Sequence, residues 1–172
     1  MYTIGHSTRT IAEFAGLLNE FAVKSVVDVR STPRSRRNPQ FNIDVLPGAL
    51  AEFGIAYQHV AELGGRRHRP RDAPASPNMF WSNESFRNYA DYAMTEPFGI
   101  GMAKLRLSAA GNNCAIMCSE AVWWRCHRRI ISDYLLAEGY QVLHIIGEHQ
   151  TAPAVLTPNA SRLLDGTLVY PG

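Results

Sequence analysis

Cysteine is scarce and confined: the 172-residue chain has three, Cys114, Cys118 and Cys126, all in one segment. An odd number so placed makes no disulfide framework of the kind that staples small secreted domains. Lysine is rarer still, two against fifteen arginines. No run approaches the roughly 18 uninterrupted apolar residues of a membrane span. The opening MYTIGHSTRT lacks the basic-then-apolar pattern of a signal peptide. Internal repeats, low-complexity tracts and linker-like stretches are missing too. A net charge of only +2 argues against a generic polyanion coat. Together these absences point to one domain over residues 1–172, away from membranes and in a reducing, cytoplasmic setting. At 46% hydrophobic, it can bury a core without staples.

What is present reads as alternating strands and helices. Tyr2 to Gly5 is a short apolar opening. Thr10 is a suitable N-cap for IAEFAGLLNEFA, where Ile11, Phe14, Leu17, Leu18 and Phe21 recur at helical spacing. KSVVDVR is a Val-rich strand, VLPGALAEFG a short helix stopped by Gly54, and IAYQHV a third strand. Ser85 to about Ala110 reads as helix, interrupted near Pro97 to Gly101. CAIMC is a strand, WWRCHRRIISDYLLAEG a helix ended by Gly139, and QVLHII a fifth strand. A short helix is expected near Ala160 to Leu164. The fold class is therefore α/β, a three-layer sandwich with a mostly parallel, Rossmann-like sheet of about five strands. The simplest strand order is 3-2-1-4-5.

The unusual residues share one edge of that sheet. Gly5, His6 and Ser7 follow strand one, and Asp28 and Arg30 close strand two. Leu63 to Arg67, with Gly64 and Gly65, follow strand three. Ser119 and Glu120 follow strand four, and Glu148 and His149 follow strand five. Parallel strands bring all these groups to the carboxyl edge, where open α/β sheets bind ligands near the point of order reversal. If strands one and four are neighbours, His6, Ser7 and Glu120 face one another there.

The densest segment is CSEAVWWRCHRR, Cys118 to Arg129. As a metal site it is poor: Cys126 and His127 are adjacent in an expected helix and would diverge by about 100°. No second CxxC or HxxxH is present, so no metal ligands are assigned, although Glu120, His127 and His6 could meet from separate elements. As a reactive thiol, Cys126 would sit in the first helical turn, where the macrodipole and Arg125, His127 and Arg128 favour a thiolate. Against that, it shares the apolar stripe of Ile130 and Tyr134, and buried cysteines are commonly core residues. As an anion site, the helix start offers unpaired N–H groups with Arg125 and Arg128 beside it. Arg30, Arg34 and Arg36 arrive from the strand-two edge with the hydroxyls of Ser31, Thr32 and Ser35, and Ser7 is an anion-binding candidate at the end of strand one. The bland alternative pairs Arg30 and Arg128 with Asp28 and Glu120 as buried salt bridges. Gly64–Gly65 is either a plain turn or a close backbone approach to a ligand. His144 reads as a core histidine.

TIGHSTR, VVDVRSTPRSR, LGG and CSEAVWWRCHRRIISDYLLAEGYQVLHI resemble the domain-of-unknown-function 488 (DUF488) family, from Tyr2 to about Ile146. The resemblance implies an α/β fold of this layout and a cytoplasmic, mostly microbial protein. It implies no established reaction, and no cofactor is indicated.

The leading expectation is a small-molecule enzyme that binds a phosphorylated or otherwise anionic substrate, such as a nucleotide, at the sheet edge. Arg30, Arg128 and the helix start would hold the anion, Glu120 or Asp28 would act as base, and His6 or His127 as acid. The alternative is a nucleic-acid-binding module using RSTPRSRR and GGRRHRPR, with Phe41, Tyr57, Phe80 and Trp81 as aromatic surface. A third reading is thiol or metal chemistry at Cys126 and His127.

Overall fold

Two apolar faces on one set of strands decide the architecture. A computed structural model describes all 172 residues. In β4 (Asn113–Cys118), Ala115 and Met117 point to one face, while Cys114, Ile116 and Cys118 point to the other. A strand buried on both faces needs helices on both sides. On the first face α1 (Ile11–Glu20) and α2 (Leu46–Ala51) cover Ile4, Val26 and Met117 with Phe14, Leu18 and Leu50. On the second, α3 (Glu84–Ala93), α4 (Glu96–Ala109) and α5 (Arg128–Ala137) cover Val27, Ile116 and Cys118 with Tyr89, Leu105, Ile130 and Leu135. The α/β sandwich expected from the alternating elements is what forms.

The sheet runs β3-β2-β4-β1-β5-β6. Here β1 is Tyr2–Gly5, β2 Val23–Asp28, β3 Ala56–His59, β5 Leu143–Gly147 and β6 Gln150–Pro153. The expected 3-2-1-4-5 order is wrong in one respect: β4 inserts between β2 and β1, pairing in parallel with each. Periodicity marks an apolar strand but does not say which strand it pairs with. Strands one and four are neighbours all the same, with Gly5 opposite Cys118. The chain leaves β1 toward α1 on one face and β4 toward α5 on the other, so the order reverses between them.

Several local expectations hold and others do not. Thr10 caps α1 in a full capping box with Glu13. The break expected at Pro97–Gly101 falls earlier, at Met94–Thr95, because Pro97 occupies the first turn of α4, where its missing N–H costs nothing. WWRCHRR is not continuous helix. Trp123–Arg125 form a single 3-10 turn, Cys126 is extended (φ −127°, ψ 144°), and α5 begins at Arg128. Glu148 and His149 turn a hairpin into antiparallel β6, and His149 pairs with Glu20 away from the shared edge. The helix expected near Ala160 is instead a two-strand ladder of β7 (Ser161–Arg162) with β8 (Leu168–Val169).

Candidate functional site

The close pairing of β1 and β4 continues past the strands. His6 N–H donates to Cys118 O (2.9 Å) and Ser7 N–H to Ser119 O (3.1 Å), with Ser7 in the left-handed region at φ 51°. A Cβ on Gly5 would lie 1.9 Å from the Glu120 carbonyl oxygen, so only glycine admits the β4 loop here. Beside this seam lies a cleft of about 410 Å³. Its walls include His6, Arg30, Ser35, Gly65, Glu120, Arg125, Cys126 and His127, eight of the thirteen residues expected at the site. Only 4 of its 18 lining residues are hydrophobic, unlike the mostly apolar pockets of neutral ligands.

The β2 corner is internally satisfied. Asp28, fully buried, accepts from Arg30 N–H, Nε (2.9 Å) and Nη2 (2.6 Å) and from Tyr57 O–H (2.7 Å). Arg30 Nη2 also donates to Phe41 O, and its Nη1 lies 3.3 Å from His6 Nε2. Asp28 therefore anchors Arg30 and is not placed to act as a base in the cleft, and Arg30 keeps one N–H free. His6 stacks on Phe41 at 4.1 Å and points Nδ1 at Ser7 O (2.8 Å), leaving Nε2 to accept from Arg30. Burial and the neighbouring Arg30 lower its pKa to about 4 against the opposing pull of the Ser7 carbonyl. It is neutral near pH 7 and does not suit the acid role expected of it.

The β4 corner is arranged differently. Arg128, 1% exposed, has no carboxylate partner. Its Nη2 donates to Glu120 O, its Nη1 to Thr3 Oγ1 (3.4 Å) and its Nε to Cys126 Sγ (3.3 Å). It stands behind the thiol and does not line the cleft, which removes it as a direct anion contact. Burial alone would raise the Cys126 pKa; the Cys118 thiol and Arg128 outweigh it and hold Cys126 down to about 6. The neighbouring Cys126 thiol, together with burial, pushes Cys118 up to about 12. His127 Nε2 lies 2.8 Å from Val29 O, which can only accept, so that nitrogen carries the proton. Nδ1 then faces Cys126 Sγ at 3.6 Å. The two sulfurs and this nitrogen lie within 4.8 Å of one another. The divergence expected of helical neighbours does not occur, because Cys126 is extended.

The remaining expected residues fall into place around these corners. The side chains of Ser7 and Arg36 do not line the cleft. Gly64 and Gly65 do approach something closely, but it is protein: added Cβ atoms would lie 2.7 Å from Ser31 Oγ and 2.3 Å from His127 Nδ1. Of the residues expected as aromatic surface beside the basic loops, Phe41 and Trp81 are core and Tyr57 is tied to Asp28. His144 is buried, bonded to Thr3 Oγ1 (2.8 Å) and stacked on Trp123. In the basic loop after β3, Arg67 lies over the Tyr92 ring and donates to three carbonyls, and Arg69 pairs with Asp91. The cleft also holds Ser31, Thr32 and Arg34, expected from the strand-two edge, and Arg66, expected after strand three; sequence reasoning missed Asn38, Ser85, Phe86, Tyr89 and Cys118 as cleft residues. Cys118 was legible by the logic that found Glu120, since it ends β4.

No helix is long and apolar enough to cross a membrane. The family model described as domain of unknown function DUF488 matches residues 10–135, so TIGHSTR lies wholly before the match and β5 after it. No curated protein and no solved structure matches the chain significantly. The matched span covers α1, both corners of the cleft and most of α5, and the chain belongs to the DUF488 family.

Proposed function

We propose that the protein is an enzyme acting on a small anionic substrate, a phosphorylated molecule above all, bound in the cleft between the β1, β2 and β4 ends. The observation that carries this reading is the set of uncommitted donors on a polar wall. Arg66 and Arg125 are exposed, and neither makes an ion pair. Arg34 has only a loose, exposed partner in Asp44 (3.5 Å). The hydroxyls of Thr32 and Ser119 lie on the same wall. Arginine forks and hydroxyls suit phosphate oxygens, and they cost little to leave solvated until a ligand arrives.

The reacting end of the substrate would meet Cys118, Cys126 and His127, which line the same cleft. The Glu120 side chain, exposed on the same loop, has no protein partner and is the carboxylate available as a base. Asp28 and His6 would hold Arg30 in position.

Thermal unfolding with inorganic phosphate and a panel of nucleotides and sugar phosphates tests the reading. A ligand at a hundred times its dissociation constant adds about 2.7 kcal/mol of stability. The expected result is a shift with a small phosphorylated ligand that falls in Arg66→Ala and Arg125→Ala. A shift with oligonucleotides alone, fading steeply with salt, would replace the enzyme with a nucleic-acid binder. No shift with any anion would sink it.

A further inference from the structure

We infer that Cys118, Cys126 and His127 form a binding site for a zinc-class divalent cation, with a fourth coordination position open to the cleft. The inference does not rest on the proposed substrate. Four observations carry it.

The first is spacing. A tetrahedral cation with bonds of about 2.3 Å to sulfur and 2.05 Å to nitrogen separates those two ligands by about 3.6 Å. Cys126 Sγ and His127 Nδ1 are 3.6 Å apart. Two thiolates on such an ion sit about 3.8 Å apart. All three ligand atoms already lie within 4.8 Å of one another, so Cys118 needs to close by no more than about 1 Å.

The second is the outer partner of each ligand. Metal-bound histidines characteristically donate their other ring N–H to a carbonyl or carboxylate, which fixes the tautomer. His127 does this to Val29 O and so presents an Nδ1 lone pair toward the sulfurs. Gly65 packs flat against that ring, where any side chain would push it away. Arg128 Nε–H points at Cys126 Sγ, a hydrogen bond that favours thiolate over thiol.

The third is chain conformation. Sequence neighbours rarely share an ion when both are helical. Here Cys126 is extended and His127 caps the helix, which turns both side chains to one point.

The fourth is access. All three residues line the cleft, so an ion can enter and one coordination position faces the space assigned to substrate. Three protein ligands plus an open position is the arrangement of catalytic zinc, whereas structural sites close all four. Two thiols would lose their protons to solvent as the cation binds. The pair of thiolates balances the cation's charge, and the positive Arg128 beside them would favour an anion in the fourth position.

The test uses the full chain, reduced, stripped with chelator, and titrated with Co²⁺ as the spectroscopic probe. One equivalent should bind, give sulfur-to-cobalt charge-transfer absorption, and be displaced by Zn²⁺. Cys118→Ser and Cys126→Ser should each reduce that absorption, and His127→Gln should weaken binding by more than about 100-fold. Zn²⁺ should also slow alkylation of the cysteines in the wild type. Reduced wild-type protein that takes up no cobalt overturns the inference, as does bound cobalt with no thiolate absorption. The wild-type spectrum decides this even if a variant fails to fold. Failure here would leave a phosphate-induced thermal shift intact, so the two proposals fall separately.

Discussion

Two buried arginines stand at the same sheet edge and are neutralised in opposite ways. Arg30, 5% exposed, lies against the fully buried carboxylate of Asp28, with Tyr57, His6 and the Phe41 carbonyl completing the shell. Arg128, 1% exposed, has only a hydroxyl, a carbonyl and a thiol. Burying a cation without an anion is expensive, so folded chains supply one. At the β2 corner it is permanent. At the β4 corner it depends on the state of Cys126. The corner with an incomplete charge balance is where the chemistry is assigned, and the complete corner is the scaffold holding it.

The comparison breaks first at Asp28. Asp28→Ala strands a buried guanidinium and should cost about 3–5 kcal/mol in denaturant unfolding. A loss under 1 kcal/mol would mean that Arg30 is neutralised by something else. Arg128→Met removes the charge rather than orphaning it, leaving Thr3 and the Glu120 carbonyl without a donor. It should cost less, about 2–3 kcal/mol; an equal or larger loss than Asp28→Ala would erase the distinction.

His144 gauges the unbalanced side. Burial first, then the nearby Arg128, lowers its pKa from 6.5 to about 4. The unfolded chain therefore binds the proton more readily than the folded one. The stabilisation from neutral His144 is complete above pH 6.5 and is lost as pH falls toward 4. Discounted for solvent screening, the loss is up to about 2 kcal/mol. It should appear as the difference in thermal stability between wild type and His144→Gln across that window. A flat difference would show that His144 does not sense the corner. The smallest effect is expected at the rim: Arg66→Ala and Arg125→Ala should each change stability by less than about 0.5 kcal/mol. Each should weaken phosphate-ligand binding by about tenfold. Loss of stability instead would reassign these arginines to the scaffold.

The corners also show how far the sequence reached. The Thr10 cap, five parallel strands and their shared carboxyl edge were legible, because capping and hydrophobic period are local properties. Naming Asp28 and Arg30 together was legible for the same reason, at two residues apart at a strand end. Assigning them a contact role in the cleft was not, since burial decides whether a charge faces ligand or protein. The 3-10 turn and the extended Cys126 were missed because Trp123 to Tyr134 carries a helical period throughout. The period hides a break of one residue, and that residue is the thiol.

What the sequence determined by itself is the set of elements and the edge that gathers the polar loops, since both follow from side-chain period and the direction of parallel strands. What only the tertiary structure decided is that β4 enters between β2 and β1, and that Cys118, Cys126 and His127 converge. Strand partnership and the aim of a side chain depend on non-local packing: Gly5 admitting the β4 loop, Gly65 bracing His127, and the Val29 carbonyl setting its tautomer.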